Sequence, residues 1–521
     1  MENEKRRALI SVDDKTGLVE FAKGLIAVGF EIISTGKTKI TLDEAGLTVQ
    51  AVSDLTDFPE ILDGRVKTLH PVIHAGILAN RDKPEHMQTL AEQKIGPIDL
   101  VVSNLYPFAQ TIAQTNITLD EAIEKIDIGG PTLIRAAAKN FPHVLVVVSP
   151  EDYNELLQMF NNYGGHVPLE YRQKLAVKAF QHVSYYDALI AQYLRLPGEH
   201  FPSRLTLALD KVQDLRYGEN PHQLAAFYSW KSGAEQRFTA LNQARQLQGK
   251  ELSYNNLLDA DAALNIVRDF SAPTVAIIKH TNPCGLASHS DLTVAFERAL
   301  AGDPLSAYGG IVAVNRAVDG PLAQQIVSSF YEVVIAADFT SEAENILKKK
   351  KSLRLLAVGD MYAGLDQAAM TLEMRPVLGG FLAQTRDALP ERDIRMDVMS
   401  SRSPTLEEVT NLRFAWHVVK HIKSNAIVLI KNHAIVGIGA GQPSRVDAVK
   451  IAISKAGIRG QGSVLASDAY FPKVDGVETA AQGGVTAIVQ PGGSISDTDV
   501  VDIANRYNLA MVFTGTRHFK H

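Results

Sequence analysis

The sequence predicts an α/β protein of two domains, an N-terminal one on a mainly parallel sheet and a larger C-terminal one of two subdomains. Three observations carry this. From Ala8 to about Ala191, short apolar runs (ALISV, FEIIS, LVVSNL, VLVVVS) alternate with segments of helical period such as Leu18 to Val28 and Glu170 to Leu194, the pattern of strands joined by helical crossovers. At 196–202 two prolines and a glycine break the alternation after a helical stretch ending near Tyr193, which divides the chain into 1–198 and 199–521. Beyond the break, TVAIIKH, GGIVAVN, EVVIAAD, AIVLIK, AIVGIGAG, SVLASDA, VTAIVQP and LAMVFTG read as strands spread over more than one domain's usual length, hence two subdomains.

Composition narrows the class. The 521 residues are 46% hydrophobic and 21% charged, enough to bury large cores. A net charge of −6 provides no global field for nucleic acid or membrane, so neither is expected as a partner. The single cysteine, Cys284, excludes an intrachain disulfide and the paired-thiol zinc spacings, and reads as a small packed residue. MENEKRRALISV lacks the apolar stretch of a secretory signal, and the longest apolar runs, such as Val144 to Val148, are strand-sized. A cytoplasmic, unanchored protein is the expectation. Lys348 to Lys351 reads as a solvated helix end or loop, and no solenoid-period repeat or low-complexity tract is present.

The N-terminal motifs point to an anionic substrate. Ser34–Thr38 (STGKT) follows the strand Phe30 to Ile33 and suits a single phosphate, held by backbone N–H groups and hydroxyls; the other reading is a plain polar turn. It is not a Walker A motif, because position 31 is Glu where glycine is required. In GRVKTLHP, Arg65, Lys67, Thr68 and His70 stand before Pro71, which also argues against one regular helix through His70 and His74; with no HExxH glutamate, metal binding there is disfavoured. Ile126–Thr132 reads as a strand end carrying Asp127, a glycine turn, and a helix with Pro131 at its first position and Arg135 and Lys139 on one face. That group could hold an anion and move protons, against a surface salt bridge as the blander reading.

In the C-terminal part, Lys279-His280-Thr281-Asn282-Pro283-Cys284-Gly285 follows the apolar strand Val275 to Ile278, where polar groups leave a sheet and ligands bind. His280 is a candidate base beside the Lys279 ammonium. Gly437–Arg445 fails as a dinucleotide fingerprint because Gln442 replaces the last glycine, and reads instead as an anion site using Arg445. There Ser444 is a candidate N-cap, Asp447 its capping-box partner and Gly457 the stop. His417 and His421, with Arg413 and Lys420, read as a solvated basic helix face rather than a metal site.

Taken in order, GRVKTLHP, NLYPF, IDIGG, RAAAKN, LRYGENPHQ, KHTNPCG, KSNAIV, GIGAGQPSR, SDAYFP and TGTRHFKH closely resemble the bifunctional purine-biosynthesis family that joins an inosinate cyclohydrolase to a phosphoribosylaminoimidazolecarboxamide formyltransferase. The resemblance spans essentially the whole chain. It implies a methylglyoxal-synthase-like N-terminal domain that closes the purine ring of the formylated nucleotide (FAICAR) to inosinate (IMP) with loss of water. There Asp13, Lys15, Thr35, Gly36, Lys37, Thr38, Arg65, Thr68 and Asn104 would hold the nucleotide, and Lys67, Tyr106, Asp127 and Lys139 would be the chemical groups. It implies a C-terminal part on a duplicated cytidine-deaminase-like fold without the deaminase zinc. This part would transfer a formyl group from 10-formyltetrahydrofolate to the aminoimidazole carboxamide nucleotide (AICAR). His280 would take the amine proton, Lys279 would help the pterin nitrogen leave, and Asn425 would orient the formyl oxygen or stabilise its charge. Arg216, Tyr217, Asn256, Gly309, Glu332, Arg445 and Arg517 would hold the nucleotide, with Tyr470 and Asp475 at nucleotide and folate contacts. The family forms a homodimer with transformylase sites across its interface and can bind a potassium ion.

Asp13 stands where the family usually has Ser, and Lys37 where it usually has a second Gly. A carboxylate beside a phosphate is unfavourable and a bulky residue replaces one that tolerates φ > 0, so Lys37 is read as offsetting Asp13. His417 differs from the family's common lysine, with no function attached. The competing readings are a P-loop or nicotinamide enzyme, against which the missing glycines argue, and a non-catalytic or transformylase-only relative.

Overall fold

The computed structural model describes residues 6–114, 116–196, 198–230, 239–365 and 371–521, without the side chain of Asp63; Pro197, in the predicted boundary, and the first five residues lie outside them. Two compact units are present, the first running to Asp210 and including Trp230, the second made of Lys211–Ser229 and the described residues from Thr239 on, so the first core reaches past the predicted boundary at 198/199. After the helix Leu169–Tyr193, Ala208 still belongs to the first core, and Gln192 Nε2 donates to Thr206 O at 3.0 Å.

The first unit is built on five parallel strands in the order Val49–Ala51, Phe30–Ser34, Arg6–Ser11, Leu100–Ser103, Leu145–Val147. The inner parts of the longer strands are apolar runs, as in a parallel sheet covered by helices. Leu9, Ile10, Ile33, Val101 and Leu145 are accordingly buried, each such side chain contributing about 1.5–3 kcal/mol of transfer free energy. The loops that leave the strand ends at Ser11, Ser34 and Ser103 share one edge, where a parallel sheet presents ligand sites.

The second unit centres on one sheet of twelve strands. From the middle outwards, one half runs Asn282–Ser288, Thr274–Lys279, Ile311–Val314, Val333–Ala336, Arg354–Ala357, Arg245–Gln248. The other runs Ala434–Gly439, Ile427–Lys431, Val464–Ser467, Ala487–Gln490, Ala510–Phe513, Asp397–Val398. The halves meet where Ala287 pairs with Ala434. Both have the same sequence of pairings, two antiparallel, two parallel, one antiparallel. Each hairpin follows a helix, Tyr254–Val267 or Leu406–Val419, and is covered by another, Leu292–Gly302 or Arg445–Ala456. The covering helix sits directly on its strand: a Cβ at Gly285 or Gly437 would lie 1.8 or 2.1 Å from the carbonyl oxygen of Ala299 or Ala452.

Some local expectations change. KHTNPCG is a hairpin tip with Asn282–Ser288 as its second strand, rather than a strand leaving the sheet. Proline and glycine hid that strand, and the structure accommodates them at a register shift between Pro283 and Gly285. Ile126–Ile128 is not a strand, and the following helix begins at Gly129, so Pro131 takes the third helical position, where its missing N–H is still harmless. Ser444 is the N-cap of Arg445–Ala456 but its side chain makes no capping bond, and Asp447 faces Lys450 instead at 3.4 Å.

His417 and His421 do not form a solvated face. His417 meets Glu391, while His421 Nε2 and Lys420 Nζ each lie 2.6 Å from the Asp269 carboxylate. Burial drives the His421 imidazole down to about 4 despite that carboxylate.

Candidate functional site

In the first unit the strand-end loops are tied together by short polar bridges. Asn104 Oδ1 accepts the N–H groups of Asp13 at 2.6 Å and Asp14 at 3.0 Å, and its amide returns a bond to Asp14 O at 3.0 Å. Buried Thr38 accepts from Val12 N at 3.2 Å and donates to Val12 O at 2.9 Å. Lys15 Nζ folds back on Asp13 O at 3.1 Å.

Two helix N-termini face this cluster. Thr35 caps the helix Gly36–Glu44, and its hydroxyl and the Gly36 N–H meet the Glu60 carboxylate, which takes the place an anion would occupy. Gly36 itself carries the left-handed φ of +51°, and Lys37 is an ordinary exposed residue of the helix, so the expected conformational difficulty at position 37 does not arise. Lys67 Nζ lies 3.6 Å from where a Cβ of Gly36 would stand, and Thr68 Oγ1 3.1 Å from that of Gly129, so this loop bridges the two N-termini.

Asp127 lies between them. Its Oδ1 accepts from Gly130 N at 2.9 Å, and the Tyr186 hydroxyl accepts its backbone N–H at 2.8 Å. Burial raises its carboxyl above the ordinary range, the Gly130 and Gly129 N–H groups and the Lys67 ammonium pull it back, and Asp13 pushes it up. Burial raises the Tyr106 phenol too, helped by the charges of Asp127, Asp13 and Glu60. Lys67, Tyr106, Asp127 and Asp13 are therefore one electrostatic neighbourhood. Arg65 is exposed and pairs with Glu124, and Lys139 is exposed at the other end of the helix Gly129–Lys139, about 15 Å along its axis from Gly129.

In the second unit a cavity of about 390 Å³ is lined by Lys279, His280, Asn282 and Cys284 on one side and Ala440, Gln442 and Lys455 on another. Lys279 Nζ donates to Tyr308 O at 2.8 Å. Gly309 follows with a left-handed φ of +75° and donates its N–H to Phe330 O at 2.8 Å, and Glu332 pairs with Arg354 at 2.8 Å.

Asn425 Nδ2 donates to Gln442 O at 2.8 Å and Pro443 O at 3.1 Å, which pins the GIGAGQPSR loop to the preceding strand segment. Arg445 is buried. It donates to Asn425 Oδ1 at 2.6 Å, Ser467 Oγ at 2.7 Å and Asp468 Oδ1 at 2.5 Å. Asn256 is engaged as the third residue of the Ser253 capping box. Arg216, stacked on Tyr217, Arg517, stacked on Phe519, and Tyr470 and Asp475 do not line this cavity.

Glu60, Asp259, Gln442 and Asp468 were not picked out by sequence reasoning. Glu60 lies within five residues of Arg65 and could have been found as an acid beside a basic motif; Gln442 and Asp468 stand inside GIGAGQPSR and SDAYFP, and Asp259 carries no local signal.

The family described as AICARFT/IMPCHase bienzyme matches residues 137–455, and the MGS-like domain matches residues 17–132. A "Bifunctional purine biosynthesis protein PurH" of Anoxybacillus flavithermus is 54% identical over 518 residues, covering 99% of this chain and all of that protein. One of Bacillus cereus is 51% identical over 519 residues with the same coverage. A solved structure titled "Crystal structure of ForH" is 37% identical over 36% of this chain and 98% of its own, at a TM-score of 0.33 too low to bear on the fold. With a family match over more than half of its length and relatives aligned end to end, the chain belongs to the AICARFT/IMPCHase bienzyme family.

Proposed function

We propose how the two units divide the family's chemistry. The chain is a bifunctional enzyme of purine biosynthesis, a phosphoribosylaminoimidazolecarboxamide formyltransferase and an inosinate cyclohydrolase, with a formyl-folate as one-carbon donor. Ring closure is assigned to the first unit and formyl transfer from 10-formyltetrahydrofolate to the second. The observation that carries the assignment is the pair of separate polar centres, one around Asp127 and Lys67, the other around Lys279 and His280.

In formyl transfer the 5-amino nitrogen of AICAR attacks the formyl carbon. His280 takes the amine proton, the bond from the formyl carbon to N10 of the folate breaks, and Lys279 assists protonation of the leaving nitrogen. Asn425 is assigned to the formyl oxygen on the resemblance alone, its amide here being engaged by Gln442 O, Pro443 O and Arg445. In ring closure the carboxamide nitrogen of FAICAR attacks its formyl carbon and loses a proton, the formyl oxygen becomes a hydroxyl, and that hydroxyl leaves as water while the 5-amino nitrogen gives up its proton to form the ring C=N bond. A carboxyl raised by burial beside an ammonium suits this reaction: Asp127 accepts the nitrogen proton, Lys67 supplies one to the leaving hydroxyl, and Tyr106, held protonated, donates a hydrogen bond. Asp13, Lys15, Thr35, Gly36, Lys37, Thr38, Arg65, Thr68 and Asn104 are assigned to the nucleotide. Lys139 stays with this site on the resemblance, the proton steps falling to the groups around Asp127.

Arg216, Tyr217, Asn256, Gly309, Glu332, Arg445, Tyr470, Asp475 and Arg517 are assigned to nucleotide and folate binding. The repeated strand order supports a duplicated cytidine-deaminase-like fold. Homodimer formation and potassium binding rest on the resemblance, a cytoplasmic location on the single cysteine and the strand-sized apolar runs, and no step is routed through the ion. No described helix is long and apolar enough to cross a membrane. FAICAR alone, without folate, should be converted to inosinate by the purified protein; a protein that needs folate for this conversion, or leaves FAICAR untouched, contradicts the cyclohydrolase assignment.

The charge of Asp13 acts on Tyr106 and Asp127, and Lys37 stands in the first turn of the helix facing the same cluster. Lys37→Gly is expected to raise KM for FAICAR, and to raise it less when Asp13→Ser has already removed the opposing carboxylate, with a coupling of about 0.5 kcal/mol or more. Strictly additive losses in the same kinetics would rule out compensation.

A further inference from the structure

We propose that Asp259 is a positioning residue for formyl transfer, the carboxylate that fixes the backbone turn carrying His280. The hairpin between Thr274–Lys279 and Asn282–Ser288 closes on two residues, His280 and Thr281, with φ of +53° and +61°. A two-residue hairpin turn with both residues left-handed belongs to sequences such as Asn-Gly, and a β-branched residue there is an outlier. Local sequence therefore does not favour the conformation on which the direction of the His280 side chain depends.

What holds it comes from the preceding helix. Asp259 Oδ1 accepts the Thr281 N–H at 2.6 Å and Oδ2 accepts the His280 N–H at 3.2 Å, so one carboxylate takes both donors of the turn in charge-assisted bonds. From the other side, Asn282 Nδ2 donates to His280 O at 3.0 Å and its Oδ1 accepts from Lys423 N at 3.1 Å, two residues before Asn425. The turn is thus fixed between the helix Tyr254–Val267 and the segment bearing Asn425.

The second half of the sheet supplies an internal comparison. Its hairpin closes on Asn432 and His433, with φ of +54° and +55°. Asn411 stands in its helix where Asp259 stands in the first, each at the same distance after its N-cap, Thr405 or Ser253. Asn411 Oδ1 accepts only the His433 N–H, at 2.9 Å. That turn begins with asparagine, which tolerates the left-handed region, and one acceptor serves. The half that carries Lys279 and His280 has histidine and threonine in the turn and a carboxylate beneath it.

The proposal rests on His280 being the proton acceptor, and the experiment separates the two claims. Asp259→Ala should lower kcat for formyl transfer at least tenfold, leave KM for AICAR and 10-formyltetrahydrofolate within about twofold, and leave ring closure by the same preparation unchanged. Asp259→Asn, which keeps the shape and one acceptor should D259A fold poorly, should lose less. Adding Thr281→Gly to D259A should recover at least threefold of the lost kcat, because glycine holds the left-handed turn without the carboxylate. An unchanged kcat in D259A, a raised KM at unchanged kcat, or no recovery with T281G overturns the positioning role. Full formyl transfer in His280→Ala would instead overturn the reading of His280 while leaving the turn contacts intact.

Discussion

His280→Ala is expected to lower kcat for formyl transfer by between about 10² and 10⁴, the range for loss of a positioned general base, while FAICAR should still be closed to inosinate at the rate of the unaltered protein. The aromatic amine of AICAR is a weak nucleophile, so attack on the formyl carbon is productive only if its proton leaves during the addition. His280 is exposed at the hairpin tip and lines the cavity wall, so the substitution opens no void in the core and the loss is chemical rather than structural. Lys279→Met should also slow transfer, since its ammonium is held at the tip by Tyr308 O. Steady-state rates for the two half reactions in one preparation check both statements. Equal loss of both activities would mean the variant had unfolded, and no loss would remove His280 from the mechanism.

Asp127→Asn has the opposite profile: ring closure falls about 10²-fold or more and formyl transfer persists, so FAICAR accumulates from AICAR. The same variant should melt at an equal or higher temperature at neutral pH. Burial raises this carboxyl in the folded protein, so folding favours the protonated form. The stabilisation it offers is present below the ordinary carboxylate pKa and is lost as pH rises through the raised value. Asparagine keeps an oxygen for the Gly130 N–H and removes the charge. A lowered melting temperature at pH 7 would show that the ionised carboxylate stabilises the unit. Lys67→Met removes the nearby cation that favours ionisation, and the acidic limb of the residual ring-closure profile should move to higher pH.

Much of this was legible in the chain. The apolar runs named all five strands' neighbourhoods in the first sheet except Val49–Ala51, which is only three residues long, and period alone located Leu18–Ala27 and Leu169–Tyr193 within a residue or so. The strand Asn282–Ser288 was hidden because its proline and glycine read as a loop, although Gly285 is there to admit a helix carbonyl. Edge strands such as Arg245–Gln248 and Asp397–Val398 are polar and half exposed, and carry no apolar signal.

The sites followed the same rule. Lys67, Asp127, Lys279 and His280 lie in motifs of unusual residue type and could be read directly. Asp259 and Asp468 act across the fold, on a turn 21 residues away and on an arginine 23 residues away, and a single polar residue in a helix or after a strand does not announce such a partner. The like placement of Asp259 and Asn411 is visible only once the two halves of the sheet are superposed in topology, because the residues themselves differ.

The most direct test of the whole account follows one carbon. AICAR and 10-formyltetrahydrofolate labelled in the formyl group are incubated with the purified protein, and the nucleotides are separated. The account predicts label in inosinate, within the purine ring, from the unaltered protein, label stopping at FAICAR with Asp127→Asn, and no labelled nucleotide with His280→Ala. Inosinate without label, or no labelled nucleotide from the unaltered protein, would contradict the claim that this chain performs both steps.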